Sequence, residues 1–155
     1  VNAGESIGFG TQICLDGAKA DVEALADVEL ARRVIAELAA AVEGSNPGAA
    51  PEGVVVLDLQ REGHSAALVV GETSVSLHSF PSVRAVTLKF FSVRDLPLGR
   101  TTKLFLEAYG VGRYQSAVSG RSLLVPRDPD RLRLALAGER DYTWLRVVPA
   151  ERVTL

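Results

Sequence analysis

Residues 72–81, Glu-Thr-Ser-Val-Ser-Leu-His-Ser-Phe-Pro, hold this chain's densest set of groups able to move a proton or attack a carbonyl. His78 can serve as general acid or base, the commonest use of an imidazole in proton transfer. The plainer reading is a strand histidine hydrogen-bonded at a sheet face. Thr73, Ser74, Ser76 and Ser79 could line a polar pocket, although hydroxyls on an exposed strand face are ordinary. Phe80 could stack on a flat ligand or simply join the core. Lys89 could form a Schiff base if desolvated, against a plainer reading as a solvent-facing strand lysine. His64, the other histidine, follows Gly63 in an expected turn and is expected to be solvated. Strict alternation puts Thr73 and His78 on opposite faces of one strand, so they meet only if the chain bends at residues 72–74, which a turn at Gly71 would permit.

These residues need elements to hold them. Residues 7–15 alternate weakly, end at Asp16-Gly17 and read as a strand. Asp21 or Asp27 can cap the helix that follows, in which Ala31, Val34, Ile35, Leu38 and Val42 share one face while Arg32, Arg33 and Glu37 point away. Residues 44–48, Gly-Ser-Asn-Pro-Gly, stop it. Strands are expected at 54–59 and 66–70, the second apolar on both faces and so centrally placed. Gly71-Glu72 makes a tight turn into a half-buried strand at 74–78, which Pro81 ends. Residues 84–92 form another strand, with Val86, Leu88 and Phe90 on one face and Thr87, Lys89 and Phe91 on the other. A second helix spans 101–109 with Leu104, Phe105 and Ala108 as its apolar stripe, and Gly110 and Gly112 end it. Beyond it, short strands are expected at 113–119 and 122–125, a helix at 130–137 and a last strand at 143–148. The order argues for an α+β two-layer sandwich, an antiparallel sheet with helices on one face. One domain is expected: a core over residues 1–109, with residues 110–155 an extension packed on it.

From about Phe9 to about Ala108 the chain resembles the small prokaryotic S-adenosylmethionine decarboxylases. That family carries Glu-Ser-His, then His-Thr-Trp-Pro-Glu, and its serine becomes a pyruvoyl cofactor by self-cleavage. The resemblance implies that Ser65 assists processing, that Glu72 supplies the scissile carbonyl and that His78 removes a proton. It also sets Phe80-Pro81 in the place of Trp-Pro, near the substrate, and Phe90-Phe91-Ser92 in the place of Ile-Phe-Thr. Four positions depart: Thr73 replaces the cleavage serine, Ser74 the histidine after it, Ser82 the glutamate of Trp-Pro-Glu, and Val93 the cysteine that acts as general acid. The longer Arg-rich segment from Gly110 also replaces the family's short C-terminus.

Self-cleavage begins when a hydroxyl attacks the carbonyl before it and gives an ester. Loss of the α-hydrogen and β-elimination then leave a keto-acyl group. Threonine would yield 2-oxobutanoyl in place of pyruvoyl, and its extra methyl stiffens χ1 and crowds the attack. Valine at 93 cannot reprotonate a carbanion, and Cys14 could do so only if the fold brought it there. The expectation is therefore a diverged, unprocessed member without a cofactor. It would act as a small-molecule enzyme on S-adenosylmethionine or a related metabolite, and as a homodimer by family analogy. Glu72, Thr73, His78 and Ser65 would form its polar centre, with Ser74, Ser76, Lys89 and Phe80 lining the substrate. A genuine decarboxylase using Thr73 or Ser74 as precursor, and a non-catalytic ligand-binding or regulatory subunit, remain as alternatives.

Composition narrows the classes further. In 155 residues the formal charge is −2, with Lys and Arg scattered, so nothing recommends nucleic acid as a partner. A single cysteine excludes an internal disulfide, and no His-Glu-x-x-His spacing appears. No apolar run approaches the ~20 residues of a membrane span, and residues 1–5 lack a basic n-region, so a cytoplasmic protein is expected.

Overall fold

The computed structural model describes residues 10–121 and 151–152. Its frame is a sheet of strands β1 (Gly10–Ala18), β2 (Val55–Asp58), β3 (His64–Val70), β4 (Thr73–Phe80), β5 (Ala85–Ser92) and β6 (Arg113–Arg121), joined by the two-residue β7 (Glu151–Arg152). The order across the sheet is β2-β3-β4-β5-β1-β6-β7. The β6–β7 pairing is parallel and the others are antiparallel. Three helices, α1 (Val22–Ala26), α2 (Val28–Glu43) and α3 (Leu98–Tyr109), join this sheet. The architecture is the α+β sandwich expected, with β6 beside β1 over nine residue pairs.

The helices start where the sequence offers acceptors for their unpaired N–H groups. Asp21 accepts from Glu23 N–H and Asp27 from Leu30 N–H, each at 2.9 Å, so both candidate caps are used, one per helix. Gly44, at φ 62°, ends α2. On α2 the residues Ala31, Val34, Ile35 and Leu38 are buried, as their spacing predicts. The buried side of α3 is set by Leu98, Phe105, Leu106 and Tyr109. Leu104 and Ala108, expected to lead that stripe, are half-buried at its margin.

Alternation along the strands sorts residues between two environments. Ile13 and Leu15, Leu68 and Val70, Val75 and Leu77, and Val86, Leu88 and Phe90 face the helices and are buried. The opposite face carries Ser65, Ala67 and Val69 of β3, Ser74, Ser76, His78 and Phe80 of β4, and Thr87, Lys89 and Phe91 of β5. Val69 is 79% exposed there. The strand expected to be central is indeed paired on both sides, by β2 and β4, but only one of its faces is buried. The expected strand at 122–125, helix at 130–137 and strand at 143–148 lie outside the described residues, as do residues 7–9 of the first strand. No helix among the described residues is long and apolar enough to cross a membrane.

Candidate functional site

The turn between β3 and β4 is two residues long, Gly71-Glu72, with Val70 and Thr73 paired across it. Gly71 sits at φ 56°, in the left-handed region glycine enters without strain. A Cβ there would lie 2.4 Å from a carboxylate oxygen of Glu43. The hairpin tip is thus pressed directly against the last residue of α2. Gly71→Ala is expected to cost at least ~1–2 kcal/mol from the backbone alone, with the carboxylate displaced as well. A chemical denaturation curve compared with that of wild type checks it.

Glu43 is the hub of what this contact builds. Its side chain is only 1% exposed. The Thr73 hydroxyl donates to its Oε1 at 2.6 Å, and Glu72 N–H donates to the same oxygen at 3.2 Å. Arg94 Nε stands 3.7 Å from that oxygen and 3.5 Å from Glu72 Oε2, bridging the two carboxylates. Ser92 Oγ lies 2.9 Å from Thr73 Oγ1 and accepts the Arg94 backbone N–H at 2.9 Å. Ser92 therefore has its own proton free to donate to Thr73, and the chain of donors runs Arg94 N–H, Ser92, Thr73, Glu43. The Glu72 carbonyl, which precedes Thr73, accepts the Val93 N–H at 3.2 Å. The Glu43 carboxyl is held below the usual carboxylate range. The Thr73 hydroxyl is the main cause; burial opposes it, and Glu72 N–H, Arg94 and Asn46 add to it.

The second group lies across the sheet. Ser65 and His78 are direct partners on β3 and β4, and Ser65 Oγ lies 2.7 Å from His78 Nδ1. Either the hydroxyl donates to a neutral ring or a ring N–H donates to the hydroxyl. Thr87 faces His78 from β5, while Ser76 faces Lys89, which in turn faces Cys14 of β1. Phe80 stands at the end of the strand, 41% exposed.

The expected residues therefore divide between two sides of one sheet. Ser65, His78, Ser74, Ser76, Lys89 and Phe80 share the open face. Thr73 lies on the helix side, and Glu72 is exposed in the turn. The bend that would join Thr73 to His78 is absent, since β4 is regularly paired with β5 from Thr73↔Ser92 to Phe80↔Ala85. Cys14, opposite Lys89, lies three residues along the ladder from the Thr73↔Ser92 pair. Glu43, Ser92 and Arg94 escaped the reading of the sequence as site residues. A signal for Glu43 existed: it falls four residues after buried Ala39, a carboxylate continuing an apolar helical stripe. Ser92 likewise continues the buried alternation of Val86, Leu88 and Phe90. Nothing local marks Arg94.

His64 corrects an expectation. It was placed in a solvated turn, yet it is 3% exposed. The turn ends one residue earlier, at Gly63 with φ 106°, and pairing with Asp58 and Ser79 draws His64 into β3 facing the helices. Its Nε2 has no hydrogen-bond partner, and burial pushes the imidazole pKa down against the weaker opposing pull of Asp58 and Asp27. Among the described residues no group of three His, Cys, Asp or Glu side chains could hold a metal ion.

A sheet antiparallel from β2 through β6, with helices on one face and a tight hairpin between β3 and β4, defines a two-layer α+β class. The solved structure of the adenosylmethionine decarboxylase from Aquifex aeolicus VF5 has this fold. It aligns with a TM-score of 0.63 at 16% identity, over 77% of this chain and 95% of that one. A family model for S-adenosylmethionine decarboxylase matches residues 11–122, which takes in β1 through β6, and the chain belongs to that family. A search of the curated proteins gives no match. If Thr73 stands where the resemblance puts the precursor serine, its side chain does not fit a pyruvoyl group, since the additional methyl would make the product 2-oxobutanoyl.

Proposed function

We propose that this protein is a diverged family member that keeps a polar acid–base centre and works without a pyruvoyl group. The observation carrying this reading is the division of the site by the sheet. Thr73 donates its hydroxyl to Glu43 in the helical layer, whereas Ser65 and His78 bond to each other on the open face. A histidine held at 2.7 Å by a serine can take or give a proton to a ligand lying on that face. Ser74, Ser76 and Lys89 supply further polar contacts and one cation, and Phe80 an apolar wall. The ligand is a small molecule, S-adenosylmethionine or a related metabolite. The exposed Val55, Leu57 and Val69 support association of two copies, which would bury them.

Two measurements test this. Purified protein should run as one species on a denaturing gel and give the intact mass of its full polypeptide, unreactive to hydrazide probes for ketones. Two fragments divided near residue 72, with a ketone at the new amino end, would sink the reading. Titration calorimetry with S-adenosylmethionine should show binding that His78→Ala weakens. No binding of any adenosyl compound would move the assignment to the non-catalytic alternative or to another class of substrate.

A further inference from the structure

Across the open face the strands line up polar side chains in rows. Ser65, His78, Thr87 and Asp16 follow one another as direct partners on β3, β4, β5 and β1. Gln115 of β6 holds the Asp16 carboxylate from the far side, its Nε2 donating at 3.1 Å. The next row sets Ser76 beside Lys89. Ser65 and His78 are only half-buried, so a ligand can reach both. We propose that Ser65 is a nucleophile with His78 as its general base, and that the pair hydrolyses small carboxylic esters bearing an apolar acyl group. This rests on one part of the proposed reading, the proton-transfer role of His78, and goes beyond its adenosyl ligand.

The register supplies the parts such a reaction needs. Ser65 Oγ, 2.7 Å from His78 Nδ1, is within the reach required of a nucleophile and its base. In the ring tautomer whose Nδ1 carries no hydrogen, the hydroxyl donates to that nitrogen. The diagonal neighbours of Ser65 on β4 are Phe80 and Ser76, two residues to either side of His78. Diagonal cross-strand pairs are within reach of aromatic and long side chains. Phe80, exposed at the strand end, forms a wall for the acyl group. Ser76 and its partner Lys89 offer donors on the other side, where an oxyanion develops.

The reaction balances with water as the only co-reactant. His78 Nδ1 takes the Ser65 proton as Oγ attacks the ester carbonyl carbon, and the carbonyl π electrons move to oxygen. Collapse breaks the bond to the alkoxy oxygen, which leaves as the alcohol with the proton from His78. The acyl group is then carried on Ser65 Oγ. Water repeats the sequence: His78 takes its proton, its oxygen attacks the acyl carbon, and Ser65 departs with the proton returned. Ester and water become acid and alcohol.

Native protein mixed with p-nitrophenyl acetate at neutral pH should release a burst of p-nitrophenolate, the mark of an accumulating acyl-enzyme. Peptide mass spectrometry after acid quenching should place one acetyl group on Ser65. Ser65→Ala should abolish both signals. Ser65→Cys, which keeps a nucleophile beside His78, should still be acylated at residue 65, so a folded, reactive variant stands beside the silent one. His78→Gln should slow acylation at least ~10²-fold, the usual scale of general base catalysis. Lengthening the acyl chain to butyrate should quicken it, by up to about fourfold per methylene, and Phe80→Ala should erase that gain. An acetyl group found only on lysines or the amino terminus, or on no residue, overturns the inference, and so does a rate unchanged in His78→Gln. A hydrogen bond that merely fixes the ring predicts those results. Ser65 left unacylated in a protein that binds S-adenosylmethionine overturns this inference alone. Ser65 acylated in a protein that binds no adenosyl compound upholds it and counts against the adenosyl ligand of the proposed reading.

Discussion

Phe90→Ala lowers the unfolding free energy by about 3–5 kcal/mol, the range for truncating a fully buried aromatic side chain. Phe90 is 0% exposed and sits between Ile13 of β1 and Val75 of β4, directly in register with both. These three side chains occupy adjacent strands at the middle of the sheet, so no single neighbour can shift to fill the hole. Urea unfolding monitored by circular dichroism reads the effect as a lower midpoint with unchanged slope. Phe80→Ala, at the exposed strand end, serves as comparison and should cost much less. Equal losses for the two would remove the claim that the helix side of β5 is the core.

Stability should also fall as pH drops below ~6.5, through His64. In the unfolded chain its imidazole titrates near that value. In the fold, burial depresses the pKa, only partly offset by Asp58 and Asp27. Between the two values the unfolded state binds the extra proton, so stability rises with pH across this window and is lost on acidification. One proton of difference sets a limiting slope of ~1.4 kcal/mol per pH unit. The penalty is complete once pH falls through the folded value. Melting temperatures at intervals from pH 7.5 to 5.0, for wild type and His64→Gln, isolate the term because His78 is common to both. Parallel curves would rule it out. Because His64 precedes Ser65 on β3, acid loosening of this strand start should also disturb the Ser65–His78 pair before global unfolding.

These two residues show why some of the molecule was legible from the sequence and some was not. Phe90 follows from alternation with Val86 and Leu88, a local rule that held throughout β5. His64 did not, because a turn and a strand start differ there by one residue, and pairing with Asp58 and Ser79 decided the matter. The stripe of α3 shifted for a related reason: Leu104 and Phe105 are both apolar, and only the sheet beneath selects which of them turns fully inward.

Alternating and helical hydrophobic periods, acid caps at Asp21 and Asp27 and the glycines at 44 and 71 were enough to specify the layers, because each acts within a few residues of chain. The hairpin motif was enough to suggest the family. The partners of the chemical groups were decided only by the fold. Glu43 reaches Thr73 across thirty positions of sequence, and Ser92 joins it through strand register. Such contacts arise when helix docking and sheet pairing are satisfied together, and no local pattern encodes them. The sheet itself made the remaining decision, by placing Thr73 and His78, five residues apart, on opposite sides of a layer one strand thick.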